Sequence, residues 1–138
     1  MAAAMFRSAA QKDPKILTWR VEVRSAGTSA RSGDAATALA VRVMKRRGID
    51  TSAHRSTRLS REAAEWADVI LTMTKTHKQT VVQNAPMVGA RTFTIAEYAG
   101  ADGEIEDPLI EGTEEAYERC SDHLSSLMPR VLMRVPVA

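Results

Sequence analysis

The feature that most narrows the fold of this chain is the run Asp68-Val69-Ile70-Leu71-Thr72-Met73. It is nearly continuous in apolar residues, and it reads as a strand covered on both faces, the usual state of a strand in a parallel α/β sheet. Its surroundings agree. Leu17, Trp19, Val21 and Val23 alternate with Thr18, Arg20, Glu22 and Arg24, the period of a half-buried strand, and Arg91-Thr92-Phe93-Thr94-Ile95 supplies a third. Helical periods separate them. Asp34 suits an N-cap ahead of Ala36, Leu39, Ala40, Val43 and Met44, which share one helical face. Lys45-Arg46-Arg47 closes that helix, where cations meet the negative end of the dipole, and Gly48 follows as the residue that ends it. As a group the trio reads far better as a solvated helix terminus than as a phosphate or nucleic-acid patch.

The remaining elements follow the same logic. Ser60 caps a short helix through Trp66, and Thr74 opens another that runs to about Gln83. Residues 100 to 112 form a loop rich in glycine and acid, interrupted by Asp107-Pro108. The last helix begins near Thr113 and places Tyr117, Cys120, Leu124, Leu127 and Val131 on one stripe, with Pro129 predicted to kink it. The opening run, Met1 to Ala10, is an amphipathic helix already under way, with no strand, turn or capping residue to introduce it. Strands alternating with helices give a three-layer α/β sandwich with a short parallel sheet. Neither repeat nor linker divides the chain, so residues 1–138 read as a single domain.

Composition removes several classes of function. No apolar run reaches the roughly 20 residues a membrane span requires, and the N-terminus has no signal-peptide pattern. A net charge of +2 gives no argument for nucleic acid. The single cysteine cannot form an internal disulfide, which fits a reducing cytoplasm. His54, His77 and His123 have no metal-ligand spacing, and no glycine-rich nucleotide fingerprint is present, so neither metal nor cofactor is expected.

Three stretches in order carry a specific resemblance: Arg24-Ser25-Ala26-Gly27-Thr28-Ser29, then Gly48-Ile49-Asp50 leading into His54-Arg55-Ser56, then Ile105-Glu106-Asp107-Pro108. With this spacing the chain resembles the low-molecular-weight protein tyrosine phosphatases and their bacterial arginine-phosphatase branch. The resemblance implies a flavodoxin-like phosphatase fold with four parallel strands in the order 2-1-3-4. It also implies a Cys-x5-Arg-Ser phosphate loop running into a Pro-Met-Ala-Glu-Ala helix whose Met corresponds to Met1. On that reading the family's first strand and its nucleophile loop would precede Met1, and the chain is expected to be an N-terminally truncated phosphatase domain, marginal in stability by itself.

Chemistry in such enzymes requires a thiolate, an arginine with a ring of backbone N–H groups for the phosphoryl oxygens, and a carboxylic acid for the leaving group. The first two belong to the loop that these 138 residues do not include. For the third, the resemblance implies Asp107 as general acid and base. Pro108 restricts its backbone to extended conformations, and Glu104 and Glu106 nearby would favour a proton on it. Asp-Pro alone is a common turn initiator; in register with the other two motifs it reads as catalytic.

Ser25 and Ser29 follow the first strand of the chain, and the resemblance implies that they support the phosphate loop, although a simple tight turn explains them equally well. His54-Arg55-Ser56 is expected to orient a loop, without a catalytic role. Cys120 is unsuited as a substitute nucleophile, since Ser126 stands where an arginine is required and the thiol falls on an apolar stripe.

Leu109 and Ile110 follow Asp107-Pro108, and the resemblance implies that these are substrate-binding positions, where phosphotyrosine-specific members carry aromatic residues. They offer apolar contact without ring stacking, and Thr92 to Tyr98 also resembles the arginine branch. The expected substrate is phosphoarginine or phosphotyrosine on a protein, with the balance toward phosphoarginine, and the resemblance implies that the residue that best separates the branches belongs to the phosphate loop. Two other functions share the fold: a binding module that holds a phosphoprotein without turnover, and an arsenate reductase, for which Cys120 alone is insufficient.

Overall fold

The computed structural model describes residues 1–13, 21–28 and 32–135. Helix α1, Ala2–Gln11, buries Met5 and Phe6. Helix α2, Ala38–Arg46, buries Ala40, Val43 and Met44, the stripe its period predicted. It starts later than expected. Thr37, not Asp34, is its N-cap and accepts from the Ala40 N–H. Asp34 is committed elsewhere: its carbonyl accepts from the Ser56 N–H at 2.7 Å, and its own N–H donates to Ser56 Oγ. At the other end Gly48 takes φ +76°, and the Ile49 N–H reaches back to the Met44 carbonyl.

Helix α3, Arg61–Trp66, is capped by Ser60 as expected. Strand β1, Ile70–Thr72, leads to helix α4, Lys75–Asn84, capped by Thr74. A 3-10 turn, Pro86–Arg91, delivers strand β2, Thr92–Thr94, which pairs parallel with β1 in the register Ile70–Thr92, Leu71–Phe93 and Thr72–Thr94. The expected strand through Ile95 stops short. Thr94 and Glu97 form a reciprocal capping box, and this starts helix α5, Ile95–Tyr98, at that residue. Two further helices complete the order: α6, Pro108–Glu111, and α7, Glu114–Arg134.

Pro129 does not interrupt α7. The proline and Ser125, whose carbonyl loses its partner, are both exposed, so water can satisfy the freed oxygen. His123, expected to face solvent, is half-buried.

Helices cover both faces of the sheet. Val69, Leu71 and Phe93 pack into the larger core with Met5, Phe6, Met44, Leu124 and Val131. Ile70, on the opposite face, joins Ala64, Val81, Ala85 and Val88. This is the three-layer arrangement expected of an α/β sandwich.

Of the strand expected over residues 17–24, Leu17 to Arg20 lie outside the described residues. Val21 and Val23 are half-buried and Glu22 and Arg24 exposed, as alternation predicts, yet these four form no ladder among the described residues. The Val23 carbonyl instead accepts from Arg7 Nη2 at 2.6 Å. Arg24 lies over the indole of Trp66, 3.8 Å from the ring centroid, and pairs with Glu22.

The basic trio at the end of α2 is not simply solvated. Arg46 pairs with Glu114 and Glu118, and Arg47 with Asp122, so these two arginines tie α2 to one stripe of α7, while Lys45 is exposed.

Candidate active site

In an open α/β sheet, ligands meet the molecule beyond the carboxyl ends of the strands. The loop that carries Asp107 reaches that end of β1. Ile105, 1% exposed, is its buried anchor, and the Ile105 N–H donates to the Met73 carbonyl at 3.1 Å, just past β1. One residue earlier, Glu104 Oε1 accepts from the backbone N–H of Lys75, the first residue of α4, at 2.7 Å. Glu104 is thus engaged at the amino end of α4, a use the sequence did not suggest. Two residues after Ile105 comes Asp107.

Asp107 is exposed and serves as the N-cap of α6, where Oδ1 accepts from the Leu109 N–H at 2.9 Å. Pro108 occupies the first helical position, where its missing N–H costs nothing. Gly112, at φ +70°, ends α6, and Glu111 pairs with Arg119 on α7. The carboxylate therefore projects into solvent from a loop fixed on both sides. Leu109 and Ile110 follow it at 62% and 87% exposure, an uncovered apolar rim beside the acid.

Two further ionisable groups are shifted by their surroundings. Burial pushes the Cys120 thiol above its ordinary range; the amino group of Met1 pulls it down, and the Asp107 carboxylate adds to the rise. Cys120 itself is half-buried and free. A raised thiol pKa is the opposite of what a nucleophilic cysteine needs. His54 is held below its usual value by burial first, then by repulsion from Met1, Arg7 and Arg55.

The other predicted residues fall as follows. Ser25 is exposed, directly after the Val21–Arg24 segment, and Ser29 lies outside the described residues. His54-Arg55-Ser56 does orient a loop. Ala35 and Arg55 form an antiparallel bridge, and Ser56 bonds both Asp34 and Gly33 through its backbone. The Arg55 guanidinium donates to the carbonyls of Ser52 and His54. Phe93 and Tyr98, 5.3 Å apart between centroids, belong to the packing of β2 on α5. No cluster of metal-ligating side chains occurs among the described residues. A cavity of about 250 Å³ lies between α3 and α4, lined by Arg58, Ser60, Arg61 and Asn84 among others, and Asp107 is not part of its lining.

Known proteins with this sequence and architecture are informative. The family model described as low molecular weight phosphotyrosine protein phosphatase matches residues 1–136. A protein-arginine-phosphatase of Geobacillus stearothermophilus is 40% identical over 112 residues, covering 80% of this chain and 74% of that protein. One from Bacillus subtilis (strain 168) is 34% identical over 129 residues, covering 93% and 82%. Among solved structures, a low molecular weight protein tyrosine phosphatase from T. tengcongensis superposes with a TM-score of 0.87 at 33% identity, over 97% of this chain and 88% of that one.

Proposed function

The chain belongs to the low molecular weight phosphotyrosine protein phosphatase family, and from that premise we propose that it serves hydrolysis of phosphoarginine on proteins, with Asp107 as general acid and base. The observation that carries this reading is the placement of Asp107. It is an exposed carboxylate, fixed by Pro108, by its own N-cap bond and by the buried Ile105, at the carboxyl end of β1. Hydrolysis of phosphorylated protein side chains is the chemistry of the family; the arginine preference and the residue roles are what we add.

In the family mechanism a thiolate displaces the leaving group from phosphorus, and then water cleaves the phosphocysteine. Asp107 would protonate the departing nitrogen as the P–N bond breaks, and its carboxylate would then accept a proton from the attacking water. In that mechanism the thiolate belongs to a Cys-x5-Arg-Ser loop, and no such motif occurs within these 138 residues. Leu109 and Ile110 would form the substrate rim. They give the aliphatic part of an arginine side chain apolar contact, whereas a phosphotyrosine ring would forgo stacking worth about 0.5–1.5 kcal/mol. Ser25 and Ser29 would support the phosphate loop. The unpaired Cys120 suits a reducing cytoplasm, where we place the protein.

One observation favours a second reading, a module that binds phosphoproteins without turnover: the sole cysteine is followed at the sixth position by Ser126. Kinetics on a polypeptide carrying the phosphate loop ahead of Met1 separate the possibilities. Asp107→Asn is expected to reduce turnover of a phosphoarginine protein by about 10²–10⁴-fold and that of an activated aryl phosphate much less, because a poor leaving group depends more on the acid. An unchanged rate on the protein substrate would reduce Asp107-Pro108 to a turn. Equal or better kcat/KM on phosphotyrosine would overturn the arginine preference, and no turnover at all would favour the binding module.

A further inference from the structure

We infer that Glu104 is a positioning residue for the acid, latching the Asp107 loop to the amino end of α4. This rests on the reading of Asp107 given above. The loop leaves α5 through backbone bonds from Gly100 to Glu97 and from Ala101 to Ala96. It then crosses Gly103, whose φ of +88° only glycine adopts without strain, and this turn presents Glu104 and Ile105 side by side to the β1–α4 junction.

Two bonds hold it there, one from each residue. The Ile105 N–H donates to Met73, and Glu104 Oε1 accepts from Lys75. The partner of Glu104 is an early N–H of a ten-residue helix, a donor with no acceptor within the helix. Thr74 caps the same helix but takes the His77 N–H, leaving the Lys75 N–H to Glu104. A carboxylate fits that position twice over, by charge-assisted hydrogen bonding and by the helix dipole.

Asp107 is three residues from Glu104, and no other loop side chain between Gly100 and Asp107 has a described bond to the β1–α4 junction. Among the described residues, release of the latch leaves the backbone bond of Ile105 to hold the loop there and lets the acid swing. Glu104 thus fixes where the proton is delivered without touching substrate.

The closing test uses Glu104→Ala and Glu104→Gln. Glutamine keeps an acceptor for the Lys75 N–H, and alanine does not. In Glu104→Ala, hydrogen exchange at the Lys75 and Ile105 amides should quicken by about tenfold, with the global unfolding midpoint little moved. In the polypeptide carrying the phosphate loop, kcat on a phosphoprotein should fall roughly ten- to a hundredfold at constant KM, with the aryl phosphate less affected. Glu104→Gln should restore most of both effects. Unaltered exchange in Glu104→Ala, or a glutamine variant as impaired as the alanine one, would overturn the inference. So would altered exchange with unchanged kcat on both substrates. A failure of Asp107 itself is distinguishable: Asp107→Asn would then lose no leaving-group dependence, while the exchange measurement would still report the latch.

Discussion

At the scale of single residues, Cys120 shows how position decides chemistry. Its place on the apolar stripe of α7 was legible from spacing, and the structure adds the effect of burial on its thiol. Burial raises its pKa from an ordinary 9.0. The consequence for stability has a definite sign. Between the unfolded and folded pKa values the unfolded chain has released a proton that the folded one keeps, so stability falls as pH rises above about 9. Urea unfolding of the native chain and Cys120→Ala at pH 8 and pH 10 checks this, with the wild type losing more stability than the variant between those values. Phosphatase turnover, where a phosphate loop is supplied, should be the same with and without Cys120→Ala. Loss of activity in that variant would instead show that the Cys120 thiol takes part in turnover.

Among the elements, those legible in the sequence were those whose signal is local. Ser60, Thr74 and Thr113 each cap the helix they were expected to open, because a side chain meeting its own backbone three residues on needs no tertiary help. Asp34 had the same chemistry and failed, since its backbone was already claimed by Ser56, 22 residues away. The box of Thr94 and Glu97 was readable as Thr-x-x-Glu but was obscured by the β-favouring Thr92-Phe93-Thr94 before it. At the candidate site, Asp107-Pro108 was legible as a turn that starts a helix, whereas the contact of Glu104 was not, because its partner lies 29 residues away on another element.

The capping box also carries a pH prediction. The Thr94 N–H, and then Lys78, hold Glu97 below its ordinary pKa of 4.5. Its contribution is therefore present above that value and lost as pH falls through the lower folded one. Glu97→Gln should flatten the acid limb of the stability curve below about pH 5, as read by far-ultraviolet circular dichroism. An acid limb identical to that of the wild type would show that α5 does not depend on the ionised form.

For the whole molecule, the interior and the surface of the α2–α7 contact should differ in weight. Met44 is fully buried in the main core, and Met44→Ala should cost about 2–5 kcal/mol in urea unfolding. Arg46, exposed and paired with Glu114 and Glu118, should matter far less, and its effect should shrink in high salt. An equal loss from Arg46→Ala would mean that the ion pairs join these helices as strongly as the core does.

The stacking of Arg24 on Trp66 reaches further still, because it turns a packing contact into an optical signal. Trp66 is 41% exposed, and the chain has only one other indole, at position 19. In a Trp19→Phe background, emission from Trp66 reports whether residues 21–24 are seated against α3. A guanidinium over the ring polarises the excited indole, and its departure leaves that face to water. Arg24→Ala should shift the emission without unfolding the core, and a titration followed at this wavelength would register detachment of that segment before the helices give way.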